Sequence, residues 1–288
     1  MPQTLAIPQA TRQPVTQALG APRLLRFWHL SALDAPTVAV TWLLAFAKSA
    51  GVRLAGWVPL LLALITWVVY IGDRILDARS ALHTGRIDCL RERHLFQWRH
   101  RRTFLRLGFA ALCCSTWIGL SVMSTEARER NSLLVAAGII YFSCIHSRRK
   151  LQSIFPKELL VGILFTTACA LPAFGRVANL SVDFIGVVGF FATLAWLNCQ
   201  AIDFWESPRK TKFSRQIFFA SCALALAGIL WASILHATHV YTAELFAAGA
   251  MSALFLAYLD RIRMRLTPLA LRAAADLVLL TPLVLILQ

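Results

Sequence analysis

Two aspartates four residues apart, Asp73 and Asp77, close an otherwise apolar run, WVVYIGDRILDAR (Trp67–Arg79). A carboxylate pair at the mouth of a membrane helix is costly unless something polar uses it. At i,i+4 spacing both acids project from one helical face, with Tyr70 a turn earlier on the same side. Such a pair is a seat for a divalent cation. A second polar group ends a later apolar stretch, WLNCQAIDFWES (Trp196–Ser207). At about 100° per residue, Asn198, Asp203 and Glu206 fall within an arc of roughly 140°, and Gln200 stands about 60° further round. Two acidic helix ends at one membrane face can share Mg2+ between their carboxylates and the phosphate oxygens of a ligand. Magnesium keeps several waters, so few protein ligands suffice. The plainer alternative is that each acid snorkels into the interface or pairs with a loop arginine.

The elements that must position these acids are membrane helices. Of 288 residues, 58% are hydrophobic and only 15% charged, and the mean hydropathy is +0.64. A soluble domain of this length needs far more charged surface. Long unbroken apolar stretches favour helices over a barrel, whose strands would alternate. Residues 1–30 form a polar and interfacial arm, with Pro2, Pro8, Pro14 and Pro22 discouraging regular structure. No apolar core with a small-residue cleavage site stands there, so no signal peptide is expected. Residues 31–288 form one all-α membrane domain. Its nine expected spans are 31–50, 54–76, 104–123, 131–147, 157–176, 182–205, 215–236, 240–260 and 266–287. The seven cysteines show no CxxC and fall mostly in apolar segments, where cysteine behaves as a small hydrophobe.

Loop charges orient the bundle. Arginine and lysine crowd the arm and the loops after spans two, four, six and eight. The other side has only Lys48, Arg53, Arg128, Arg130 and Arg176. That asymmetry predicts a cytoplasmic N-terminus and a C-terminus outside. It also explains the formal net charge of +15 without a nucleic-acid partner. The longest basic run, RERHLFQWRHRR (Arg91–Arg102), fits topology and anionic headgroups better than a nucleic-acid patch. Some of its arginines could also face a phosphorylated substrate over the site. An integral protein of a bacterial cytoplasmic (inner) membrane, in contact with its lipid, is the localisation expected.

With both acidic stretches after even spans, the chain resembles the UbiA-type intramembrane prenyltransferases. Those proteins have nine transmembrane helices and two aspartate-rich motifs, after the second and sixth helices, on the cytoplasmic side. Against their first motif, NDxxDxxxD, the stretch Val69-Tyr70-Ile71-Gly72-Asp73-Arg74-Ile75-Leu76-Asp77 keeps the last two aspartates and has Val69-Tyr70 for Asn-Asp. In the second, Asn198 and Glu206 match a leading Asn and an acid eight residues on, and Asp203 is a displaced middle acid. Asp34-Ala35-Pro36-Thr37 is similar to the family's first-helix entry, and Tyr141 through Lys157 to its stretch leading into helix five. The resemblance covers about residues 25–288. It implies Mg2+ held by Asp73, Asp77, Asn198 and Glu206, with Asp203 among the catalytic acids. It further implies a prenyl diphosphate donor contacted by Tyr70, Arg74, Tyr141 and Lys157. The allylic group would pass to a lipophilic acceptor, aromatic or otherwise. A catalytically inactive relative that binds lipid or a partner is the alternative implied by the altered motifs.

Other polar residues have local readings. Arg272 and Asp276, spaced i,i+4 in the last span, should pair with each other. A secondary transporter would use such a pair. Asp34, Glu158 and Asp183 are expected to snorkel or cap. His236 and His239 face the non-cytoplasmic side, and no acid near them is apparent in the sequence.

Overall fold

A computed structural model describes residues 19–85, 90–147, 157–177, 181–206 and 214–287, and among them every regular element is helical. The helices are α1 (Arg23–Leu30), α2 (Asp34–Ser49), α3 (Trp57–His83), α4 (Glu92–Arg99), α5 (Arg101–Ser121), α6 (Thr125–Ser147), α7 (Lys157–Phe174), α8 (Val182–Glu206), α9 (Ser214–Leu235), α10 (Val240–Ile262), α11 (Pro268–Leu277) and α12 (Leu283–Ile286). The extreme N-terminal arm, and the stretch from Arg148 to Pro156 that carries part of the family likeness, lie outside the described residues.

Seven of these helical segments are long and apolar enough to cross a membrane, and eight if the bent pair α1–α2 is one span. Four of the expected spans differ in physical detail. The first is α2, a continuous helix of 16 residues; α1, in the arm before it, meets it at 88°, and Ala32 at the bend has φ 61°, a left-handed conformation that costs an alanine roughly 1–2 kcal/mol. The fourth, α6, is helical but opens on Glu126, Arg128, Glu129 and Arg130, and it does not reach the apolarity of the others. The last is interrupted by a 3-10 turn at Val278–Leu280 between α11 and α12. Helix α3 runs to His83 rather than ending near residue 76. Asp73 and Asp77 therefore sit inside a continuous helix, not at its mouth.

The α2 helix is the centre of the packing. It touches α3, α7, α10, α11 and α12, and ten of its sixteen residues are buried. The Trp42 ring stacks on Phe191 of α8 with centroids 3.8 Å apart, and Phe46 meets Phe191 edge-on at 5.7 Å. Trp42 Nε1 donates to the Leu279 carbonyl at 2.8 Å. That bond satisfies a backbone acceptor which the 3-10 interruption frees in an apolar interior. Thr281 Oγ1 donates to the Ala248 carbonyl at 2.7 Å, so the broken helix is tied to α10 as well.

Glycines let helices approach. A Cβ on Gly162 of α7 would stand 3.0 Å from the Trp196 backbone nitrogen and 3.2 Å from its Cα. Neither atom can rotate away. The small residue thus fixes how closely α7 lies on α8, two residues before Asn198. Gly162→Ala should destabilise the protein by about 1–3 kcal/mol, whereas Gly108→Ala, with nothing within 4 Å of the added carbon, should be neutral or stabilising by up to about 1 kcal/mol. Thermal unfolding of the two variants in detergent measures the contrast.

Candidate functional site

Polar residues collect where α1, α4, α11 and the C-terminal end of α8 meet. Two ionic groups, joined by a tyrosine, make up this end of the bundle. The first is centred on Glu206, whose carboxylate is gripped on both oxygens by Arg93 of α4, at 2.6 and 3.0 Å. Arg272 of α11 stands 3.6 Å from the same carboxylate, and Arg91 donates to the Glu206 backbone carbonyl at 2.6 Å. The planar fork of Arg93 makes this a bidentate pair with fixed geometry. A cleft of about 200 Å3 opens beside it, lined among others by Trp205, Glu206, Arg263 and Arg272.

The second group is buried deeper. Asp34, with no exposed surface, accepts from Arg74 at 3.0 Å and stands 2.6 Å from His29 Nδ1. Asp276 of α11 approaches the same imidazole nitrogen at 3.7 Å. Arg74 also donates to the His29 carbonyl at 2.9 Å. Tyr70 joins the two groups. Its ring lies under the Arg74 guanidinium at 4.6 Å, and its hydroxyl accepts from Arg272 at 3.3 Å.

A third cluster faces the neighbouring side of α3. Tyr141 of α6 lies close enough to Asp73, Asp77, Glu158 and Cys199 to interact with each electrostatically. Gln200 donates to Glu158 at 3.3 Å. Lys157, half-buried at the start of α7, interacts with Cys199 on the same side. Asn198 is buried, and its Oδ1 has no hydrogen-bond partner. Asp203 is half-buried about one turn before Glu206.

The residues expected from sequence thus divide. Tyr70, Arg74 and Glu206 come together through Arg272, while Asp73, Asp77, Tyr141 and Lys157 belong with Glu158 and Cys199. Three local readings change. Arg272 reaches Glu206 and Tyr70 rather than pairing with Asp276. Asp34 is buried against Arg74 rather than snorkelling, though its Oδ1 does accept the Ala35 N–H at the start of α2. His239 does have an acidic neighbour, since Asp183 Oδ2 is 3.4 Å from its Nε2. Sequence reasoning missed His29, Asp34 and Asp276 as members of one cluster. The available signal was an aspartate standing directly before an apolar stretch with a histidine five residues ahead of it.

Helix α4 carries a histidine that this environment keeps neutral. Burial first, then the charges of Arg93 and Arg74, push His94 down to about 3. Its Nδ1 accepts the Arg91 backbone N–H at 3.2 Å, which needs the unprotonated nitrogen. Burial, followed by Arg272, also draws Arg93 below the usual guanidinium range, against the pull of Glu206. The chain matches no family model, no curated protein and no solved structure.

Because the folded-state value for His94 lies below the ordinary 6.5, the unfolded chain takes up the proton first. The stability His94 contributes is therefore present above about pH 6.5 and is lost as pH falls from there towards 3. Thermal midpoints in detergent should drop between pH 7 and pH 4. His94→Asn, which keeps an acceptor but cannot titrate, should flatten that slope.

Proposed function

We propose that the protein is a UbiA-type intramembrane prenyltransferase, moving an isoprenoid group from a prenyl diphosphate to a lipophilic acceptor. In this reading it crosses a bacterial inner membrane nine times, with the polar end of the bundle facing the cytoplasm. The observation that carries the proposal is the grouping of Asp73, Asp77 and Glu158, from two helices, around Tyr141 of a third. Carboxylates grouped around a tyrosine hydroxyl are oxygen donors of the kind that a divalent cation and a diphosphate can share.

Asp73 and Asp77 supply carboxylates, and Asn198 supplies a buried amide oxygen with no hydrogen-bond partner, so these three suit a hard cation that favours oxygen. Glu206 would have to leave Arg93, which holds both of its oxygens. Bound there, Mg2+ would neutralise the charge that builds on the departing diphosphate. Lys157 adds positive charge on the same side. The aromatic core of α2 and α8, with Phe165 of α7 packed against it, excludes water from the allylic cation formed as the C–O bond breaks. The buried Tyr141 hydroxyl, which has no hydrogen-bond partner, would orient donor or acceptor.

Incubation of the purified protein in detergent with labelled prenyl diphosphates of several lengths tests this directly. Diphosphate release should require Mg2+ and fall by at least about 100-fold in Asp77→Asn, the scale of losing one charge-stabilising ligand. Absence of turnover with every donor and acceptor tried would remove the enzyme reading. A second reading, an inactive relative that binds lipid or a partner, is favoured by the Arg93–Glu206 pair and by Val69-Tyr70 in place of Asn-Asp. It requires donor binding without release.

The orientation has its own measurement. A reporter enzyme active only outside the cytoplasm, fused after Gln288, should be active, and the same reporter placed at residue 210 should be silent. The reverse pattern would invert the proposed topology.

A further inference from the structure

We propose that His29, Asp34 and Asp276 form a binding site for a first-row divalent cation of the zinc, manganese or iron(II) class, at the break between α1 and α2. This site is separate from Asp73 and Asp77, and it does not depend on the transferase reading.

Three lone-pair donors converge at this bend. His29 Nδ1, a carboxylate oxygen of Asp34 and one of Asp276 all lie within 4.8 Å of one another. His29 is 1% exposed, Asp34 0% and Asp276 8%. A buried imidazole 2.6 Å from a carboxylate would ordinarily be joined to it by an aligned N–H. Here Nδ1 has no hydrogen-bond partner, and neither does Asp276 Oδ2. A cation shared by the three atoms would engage all of them at once.

The dimensions agree. Ligand bonds of about 2.0–2.2 Å place neighbouring donor atoms roughly 3.0–3.5 Å apart around the ion. The His29–Asp34 and His29–Asp276 separations, 2.6 and 3.7 Å, bracket that range, and the two carboxylates lie within 4.8 Å of each other. One imidazole nitrogen with two carboxylates suits zinc, manganese or iron(II) better than magnesium, which prefers oxygen throughout. Outer partners are in place. Ala35 N–H donates to Asp34 Oδ1 at 3.0 Å, Arg74 donates to Asp34 Oδ2 at 3.0 Å, and Arg74 also holds the His29 carbonyl. Contacts of this kind orient ligands in established metal sites. They also explain why α1 and α2 meet through a left-handed alanine: the bend at Ala32 turns His29 back over Asp34.

The full-length protein in detergent, stripped with a chelator and titrated with Co2+, gives the test. One equivalent should bind, with visible d–d bands and a raised thermal midpoint. Both should disappear in His29→Ala and in Asp276→Asn and persist in Asp77→Asn. Asp276→Asn is nearly isosteric, and a native elution profile for it separates lost binding from lost folding. Co2+ that fails to bind stoichiometrically, or whose bands survive both site variants, overturns the proposal. Binding lost only in Asp77→Asn would overturn it too, because it would place the cation at the other acids. Asp77→Asn tests the transferase by diphosphate release, so the two ideas can fail independently.

Discussion

Asp34 sets the terms for one end of this molecule. A carboxylate with no exposed surface must be met by positive charge and hydrogen bonds, because uncompensated burial costs several kcal/mol. Arg74 meets it from α3 and His29 from α1. Those partners dictate the rest. Arg74 can reach Asp34 only where α3 lies beside α2, and His29 only if the chain reverses between α1 and α2. The reversal uses the strained Ala32, which packs with Ile71 and Ile75 of α3 and Phe104 of α5. Strain at that residue is offset by the buried ionic group it completes.

From Arg74 the constraint spreads to the neighbouring helices. Its guanidinium covers Tyr70, Tyr70 accepts from Arg272, and Arg272 approaches Glu206. Glu206 in turn receives Arg93 and so draws α4 onto the end of α8. Helices α1, α2, α3, α4, α8 and α11 are thereby coupled through side chains whose charges alternate. Such a network has value only as a whole, since losing one member leaves another charged and buried. The opposite, apolar part of the bundle relies on different physics. There the Trp42 ring stacks on Phe191 and edge-on aromatic contacts add to the apolar packing.

The sequence made the helical architecture plain because apolar length and loop charge are local properties. Helices occur near each expected span, and the acids at Asp73, Asp77 and Glu206 do lie among polar partners. What was not legible depended on distance through space. Arg272 and Asp276 look like an i,i+4 pair on paper, yet tertiary partners more than 60 residues away take both of them. Arg93 sits in a run whose composition says headgroup contact, and nothing local marks it as the partner of Glu206. The bend at Ala32 was invisible for a related reason. Alanine carries no turn signal, and its left-handed conformation follows from what His29 and Asp34 reach rather than from its own preference.

The ionic network also bears on how the two polar faces of α3 divide their work. Tyr70 and Arg74 reach α11 and α2 through Arg272 and Asp34. Asp73 and Asp77 instead interact electrostatically with Tyr141 of α6, which also senses Glu158 and Cys199. At about 100° per residue the two pairs stand roughly 60° apart, so one helix serves two polar groups. Tyr70 is the joint between α3 and α11. Its ring lies under the Arg74 guanidinium and its hydroxyl accepts from Arg272, so one side chain makes contact through both a face and an edge, a double contact that a carboxylate, having no ring, could not make.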